Sequence, residues 1–141
     1  METLAGTTTF VLHKVAVASR RAIAARLAER PGLTLWEYAA LAELTDQGAV
    51  AQNVLAAGLG IDTSDMVRLM DELIAKELVA RDRDPADRRR YRIGLTAKGR
   101  RAVATARKVI AEVEQVTLQP LSATERATLL ALAAKVHSVN N

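Results

Sequence analysis

Between positions 81 and 108 the chain carries eleven basic side chains: Arg81, Arg83, Arg88, Arg89, Arg90, Arg92, Lys98, Arg100, Arg101, Arg107 and Lys108. Only Asp82, Asp84 and Asp87 oppose them, so the segment is +8, while the other nine basic and thirteen acidic residues leave the rest of the chain at −4. Guanidinium groups at this density suit a polyanion, since each offers a planar fork that matches two phosphate oxygens. The alternative is a solvated, arginine-rich face. Other chemistries are poorly provided for. With no Cys, disulfides, thiolate nucleophiles, thiol redox switches and cysteine-ligated zinc are excluded. The two His, His13 and His137, lie far apart in sequence, with no H-E-x-x-H spacing. Neither a glycine-rich phosphate loop nor G-x-S-x-G is present. The chain is expected not to be an enzyme and to need no cofactor or metal.

The elements that must position the arginines follow from periodicity and capping signals. Phe10, Val11, Val15, Ala18, Ala22 and Leu27 recur at helical spacing and predict a helix over Thr9–Ala28, broken by Pro31-Gly32. Thr34-Leu35-Trp36-Glu37 has the form of a capping box and opens a helix to about Glu43. Asp46-Gln47-Gly48 reads as a turn, Val50–Ala57 as a short helix, and Gly58 to Ile61 as a second turn. Asp62 is the candidate N-cap of a fourth helix, with Asp65 an acidic partner near its positive end. Met66, Leu69, Met70, Leu73 and Leu78 form its apolar stripe, leaving Thr63, Ser64, Val67, Arg68, Asp71 and Glu72 outside it. Leu78–Arg83 and Arg90–Leu95 read as strands; in the second, Tyr91, Ile93 and Leu95 alternate with Arg92 and Gly94. Asp84-Pro85-Ala86-Asp87 between them favours a type I turn. Thr96 can cap a long helix to about Thr117, and Ser122-Ala123-Thr124-Glu125 opens a last one to about His137.

A helix, a glycine-bearing turn, a second helix and then a hairpin is the winged helix-turn-helix layout. The fold class is therefore mainly α with a small β-hairpin wing. The second helix of such a pair fits the major groove of B-DNA, about 12 Å wide. Here that helix starts at Asp62, and its exposed first turns would face base edges. The wing holds Arg83, Arg88, Arg89 and Arg90 at its tip, within reach of phosphates or a narrow minor groove. Length fits a single domain over 1–141, with a DNA-binding lobe at about 34–96. Val103, Ala106, Val109, Ile110, Val113 and Val116 give the fifth helix more apolar surface than one core stripe needs, and the first and last helices are also apolar. Pairing of two copies through about 1–30 and 97–141 would cover that surface and set two recognition helices roughly 34–36 Å apart. The alternative is that these helices pack only on their own domain. Met1 to Phe10 lacks the form of a signal peptide and no apolar run reaches membrane-spanning length, so a cytoplasmic protein without membrane partners is expected.

Particular residues carry a family resemblance: Leu59-Gly60-Ile61-Asp62-x-Ser64, then Arg68-Leu69-x-x-x-Leu73 and Leu78-Val79-x-Arg81. The strongest match is Asp84-Pro85-x-Asp87-Arg88-Arg89 followed by Ile93-x-Leu95-Thr96-x-x-Gly99. In these the chain resembles the MarR-type (multiple antibiotic resistance regulator) transcriptional regulators. The resemblance implies a homodimer that binds double-stranded DNA at a pseudo-palindromic operator, often as a repressor released by a small ligand. It assigns Arg89 to the minor groove, Asp87 to holding the wing in place, and Ser64 and Arg68 to phosphate or base contacts, with Thr63 and Val67 also on the groove face. Ala51-Gln52 departs from the Thr-Gln pattern of many relatives, and Asp65 stands where Thr is frequent. Asp65 reads as a capping carboxylate rather than a reader of a cytosine amino group. The resemblance also implies a site for phenolic or aromatic acids, for which His13, Arg20, Trp36 and Tyr38 are the candidates; for Trp36 the alternative is a core position. Two other function classes stay open: a winged-helix protein-interaction module, and a nonspecific nucleic-acid binder without ligand control.

Overall fold

Six helices and one hairpin follow one another among the described residues, 6–140, of the computed structural model. They are α1 Thr8–Glu29, α2 Leu35–Gln47, α3 Gln52–Leu59, α4 Thr63–Ala75, β1 Val79–Arg83, β2 Tyr91–Leu95, α5 Ala97–Thr117 and α6 Ala123–Val139. The parts of the expected ranges at 1–5 and 141 lie outside the described residues. Ile23–Ile110 form one compact unit; the described residues before and after it form another, so α1 and α5 each contribute to both.

The central unit is built on aliphatic side chains, among them Leu27, Leu41, Leu55, Met66, Met70, Leu73 and Ile93, all fully buried. At the start of α2 the expected capping box forms: Thr34 Oγ1 accepts from the Glu37 N–H at 3.2 Å, and Glu37 Oε2 from the Thr34 N–H at 3.1 Å. Glu37 is only 2% exposed, and its carboxylate also accepts from Lys76 Nζ at 2.9 and 2.8 Å. The same ammonium donates to the Gly32 carbonyl at 3.1 Å. This bridge ties the start of α2 to the residue that caps α4.

Two boundaries differ from expectation. Helix α2 continues through Asp46-Gln47 and stops at Gly48, where φ is 78° and the N–H reaches the Leu44 carbonyl at 3.0 Å. Asp and Gln suit turns, but a residue free to adopt the left-handed region is what ends the helix. Helix α3 starts at Gln52, two residues late, because Val50 bonds to the sheet. Its N–H donates to the Ile93 carbonyl at 3.1 Å, and Ile93 donates back at 2.7 Å.

Asp62 caps α4, its carboxylate accepting from the Asp65 N–H at 2.8 Å and from Ser64 Oγ at 3.2 Å. These hydrogen bonds, the backbone one first, hold its pKa below the ordinary aspartate value. Leu78, expected on the α4 stripe, instead lies beyond the helix and closes its end. Its N–H donates to the Leu73 carbonyl at 3.0 Å and that of Glu77 to Ile74 at 2.9 Å. This is a Schellman closure with Glu77 in the left-handed region at φ 59°. On the other side the Leu78 carbonyl accepts from the Thr96 N–H at 3.1 Å. Thr96 Oγ1 donates to the Glu77 carbonyl at 2.7 Å and, as expected of a cap, accepts from the Gly99 N–H at 2.9 Å. A Cβ on Gly99 would stand 2.0 Å from the Leu78 carbonyl oxygen.

In the terminal unit, Ser122 and Glu125 form the second expected capping box, and Arg126 donates to the Leu118 carbonyl at 3.1 Å and to Gln115 Oε1 at 2.8 Å. Helix α6 buries no residue: Leu130, Leu132, Val136 and Val139 are exposed, as are Val11, Leu12 and Val15 of α1. No helix among the described residues is long and apolar enough to cross a membrane.

Gly99→Ala is expected to destabilise the chain by about 1–3 kcal/mol, the usual cost of forcing an atom into packed backbone. Glu77→Gly, which removes a side chain from a left-handed position, should not destabilise it. Denaturant midpoints check both, and an unchanged midpoint for Gly99→Ala would contradict the close approach.

Candidate nucleic-acid interface

In the hairpin, β1 and β2 pair antiparallel with Val79 opposite Leu95 and Arg83 opposite Tyr91. The Asp84 N–H donates to the Arg90 carbonyl at 2.9 Å, closing a loop over 84–90. Within it, Asp84 Oδ1 accepts from the Ala86 N–H at 2.9 Å. The backbone bond that closes a four-residue turn runs from the Arg90 N–H to the Asp87 carbonyl at 2.9 Å. A hydrogen-bonded turn thus sits at 87–90, and the chain also bends at Pro85-Ala86 just before it. Asp84 spends its carboxylate on the loop backbone.

Asp87 organises this tip. Its Oδ1 accepts from the Arg89 N–H at 3.1 Å and from Arg89 Nε at 3.2 Å; Arg90 Nε lies 3.8 Å from Oδ2. The side-chain bond from Arg89 first, its backbone bond next and the nearby Arg90 charge last hold the Asp87 pKa below the ordinary value. The Arg89 side chain is nonetheless 91% exposed, so most of its donors face solvent. Arg88 and Arg90 are exposed too. Arg83 is placed differently: its guanidinium lies 4.9 Å from the centre of the Tyr91 ring and donates to the Arg88 carbonyl at 2.5 Å. Tyr91, expected on the buried face of its strand, is exposed at the tip under this arginine, while Ile93 is buried as expected.

Helix α4 presents the second half of the site. Thr63, Ser64, Val67, Arg68, Asp71 and Glu72 are all exposed, because the helix turns Met66, Leu69, Met70 and Leu73 into the core. A hollow of about 690 Å³ separates this face from the hairpin and is lined by Gln52, Asn53, Val67, Asp71, Arg81, Arg90 and Tyr91, with Ala51 and Ile93. Arg81 crosses part of it and donates to Gln52 Oε1 at 2.9 Å. Gln52, Asn53 and Arg81 were not among the expected site residues. Signals for two of them were present in the basic segment and the motif Leu78-Val79-x-Arg81 and in Ala51-Gln52 beside the Thr-Gln pattern, but none tied them to the groove face. On its other flank α4 borders a smaller hollow of about 320 Å³, lined by Thr34, Trp36, Ile61, Asp65, Arg68, Leu69 and Glu72.

Asp65 does not act as the capping carboxylate. Asp62 fills that role, and Asp65 Oδ1 instead accepts from Arg68 Nη2 at 2.8 Å. Of the candidates for a small-molecule site, His13 and Arg20 are exposed on α1. Trp36 is half-exposed rather than a core residue, and Tyr38 is partly buried against the core. Among the described residues no group of three His, Cys, Asp or Glu could hold a metal ion.

Known proteins resemble the chain over most of its length. The model of the MarR family matches residues 32–90, which span α2 to the hairpin tip. A protein named for transcriptional regulation of the hcr operon in Thauera aromatica is 30% identical over 134 residues, 95% of this chain and 81% of that protein. Among solved structures, a probable transcriptional regulator from Pseudomonas aeruginosa aligns with a TM-score of 0.76 at 29% identity, covering 95% of this chain and 99% of that one. The PcaV transcriptional regulator of Streptomyces coelicolor, solved in complex with its natural ligand, aligns at 0.73 and 26% identity over 100% and 99% of the two chains. These relatives are regulators rather than enzymes.

A lowered pKa in the folded state means that the Asp87–Arg89 interaction is complete above the unfolded value, near pH 4, and is lost as pH falls through the lower folded one. An NMR titration of the Asp87 carboxyl should therefore show a midpoint below the ordinary aspartate range. That midpoint should move back toward the ordinary value in Arg89→Ala; an ordinary midpoint in the parent would contradict the wing geometry.

Proposed function

Because the chain belongs to the MarR family of transcriptional regulators, we propose that it is a homodimeric, sequence-specific DNA-binding repressor of a pseudo-palindromic operator, released by a small ligand. The observation that carries this reading is the exposed face of α4 set beside a hairpin whose Arg89 is oriented by Asp87 yet remains 91% exposed. In this reading α4 enters the major groove. Ser64 and Arg68 contact phosphate or base edges, with Thr63 and Val67 against them. Arg89 enters the adjacent minor groove, and Arg88 and Arg90 approach phosphates. Arg83, held over Tyr91, supports the tip, while Gln52 and Arg81 extend the basic and polar surface along the larger hollow.

Dimerisation is supported by the apolar residues that α1 and α6 leave exposed, Val11, Leu12, Val15, Leu130, Leu132, Val136 and Val139. A second copy would remove these from water, at about 25 cal/mol per Å² of apolar surface. In this scheme the segments at about 1–30 and 97–141 form the dimerisation region and 34–96 the DNA-binding lobe. Control by a ligand is supported by PcaV, solved with its natural ligand. A phenolic or aromatic acid is the proposed class, with His13, Arg20, Trp36 and Tyr38 as the residues to test.

Sedimentation equilibrium should show a dimer at micromolar concentration, and a pure monomer would contradict the pairing. Selection from random duplex DNA should return a two-fold motif. Enrichment without a motif would favour a nonspecific binder, and no binding at all would favour a protein-interaction module. Arg89→Ala should weaken binding to every selected site and flatten the slope of log affinity against log salt by about one unit. Unchanged affinity at every salt would sink the wing assignment. A phenolic acid should raise the melting temperature in the parent and less so in Trp36→Ala or His13→Ala; a phenolic acid without effect on the parent would count against that ligand class.

A further inference from the structure

The Asp65–Arg68 contact lies one helical turn inside α4, on its exposed flank. Arg68 Nη2 donates to Asp65 Oδ1 at 2.8 Å, and the two side chains are 74% and 54% exposed. Asp65 is not needed to close the helix start, because Asp62 accepts the Asp65 N–H and Ser64 donates to the same Asp62 oxygen. Its carboxylate, which also neighbours that of Asp62, accepts from Arg68. That bond engages one of the five N–H donors of the guanidinium and leaves the others for a partner. Two donors in a rigid fork match the O6 and N7 acceptors that guanine alone presents together in the major groove. Glu72, four residues beyond Arg68, lines the same hollow but has no bond to it, so Asp65 is the group that sets the direction of the fork.

We infer that Asp65 and Arg68 form one base-reading unit, in which Asp65 is a positioning residue that aims Arg68 at a guanine in each half-site. This rests on the reading of α4 as the recognition helix. The carboxylate also lowers affinity for DNA in general, since it adds a negative charge close to phosphates. Asp65 therefore exchanges affinity for choice. Loss of the carboxylate should leave nonspecific binding as strong as in the parent or stronger, while preference at one base position collapses. A carboxylate that only stabilised the helix would change all sequences alike.

The test uses the full chain and selection from random duplex DNA, with measured affinities for the selected site and for the same site changed at each position in turn. In the parent, one guanine per half-site should be preferred by roughly five- to a hundredfold, the usual reach of a bidentate arginine contact. Asp65→Ala and Arg68→Ala should both lose that preference at the same position, and the double variant should lose no more than either alone. Asp65→Glu should restore part of it, and Glu72→Gln should leave it intact. If Asp65→Ala keeps the guanine preference of the parent, or weakens every position equally, the inference is overturned although the recognition helix stands. If the parent itself selects no two-fold motif, the broader reading of the site fails first, and the two failures are distinguishable.

Discussion

The Leu78 carbonyl is the point on which the winged unit turns. It accepts from the Thr96 N–H, and Gly99 passes so close that no side-chain carbon fits between them. Three elements end or begin there. Helix α4 closes through the Glu77 and Leu78 N–H groups, β1 leaves at Val79 opposite Leu95, and α5 starts under the cap supplied by Thr96. Only three residues separate the last residue of α4 from the first of the wing. The helix face and the hairpin are thus carried by one short, fully bonded junction. Val50 adds a third chain segment to the sheet at Ile93, so the start of α3 is fixed to the same frame.

Charge is arranged on that frame in two ways. Some basic groups are used within the fold: Lys76 on the buried Glu37, Arg83 over Tyr91 and on the Arg88 carbonyl, and Arg81 on Gln52. Others point outward, above all Arg89, whose acidic partner orients it without covering it. A carboxylate beside an arginine reduces net charge but fixes the direction of the fork, and direction is what distinguishes recognition from attraction. The acidic residues within the basic segment are therefore part of the same surface. Asp84 shapes the loop backbone, and Asp87 shapes its tip.

Much of this was legible in the sequence because the signals are local. Thr34 with Glu37, Asp62, Thr96 with Gly99, and Ser122 with Glu125 all cap helices where their spacing said they would. The apolar stripe Met66, Leu69, Met70 and Leu73 gave the buried face of α4, and so its exposed face by difference. What escaped depended on partners distant in sequence. Nothing near Val50 marks it as a strand residue; Ile93, on the other side of the wing, does. Glu37 and Lys76 lie 39 residues apart. Tyr91 continues the alternation of Ile93 and Leu95 but sits past the end of the core, where an arginine covers it in place of aliphatic side chains. Asp65 stands in the first turn as its position implies, but its carboxylate accepts from Arg68 rather than from the helix start, because Asp62 alone holds the cap.

Under the proposed function, one face of α4 and one hairpin tip contact adjacent grooves of the same duplex, twice, about one helical turn apart. Dimethyl sulfate footprinting on a selected site reads both grooves at once, since it methylates guanine N7 in the major groove and adenine N3 in the minor groove. Two clusters of major-groove protection are expected, with centres about 10 bp or a multiple apart, each flanked by minor-groove protection. The flanking protection should be absent in Arg89→Ala while the major-groove clusters persist. Uniform protection, or minor-groove protection unaffected by the loss of Arg89, would contradict that function.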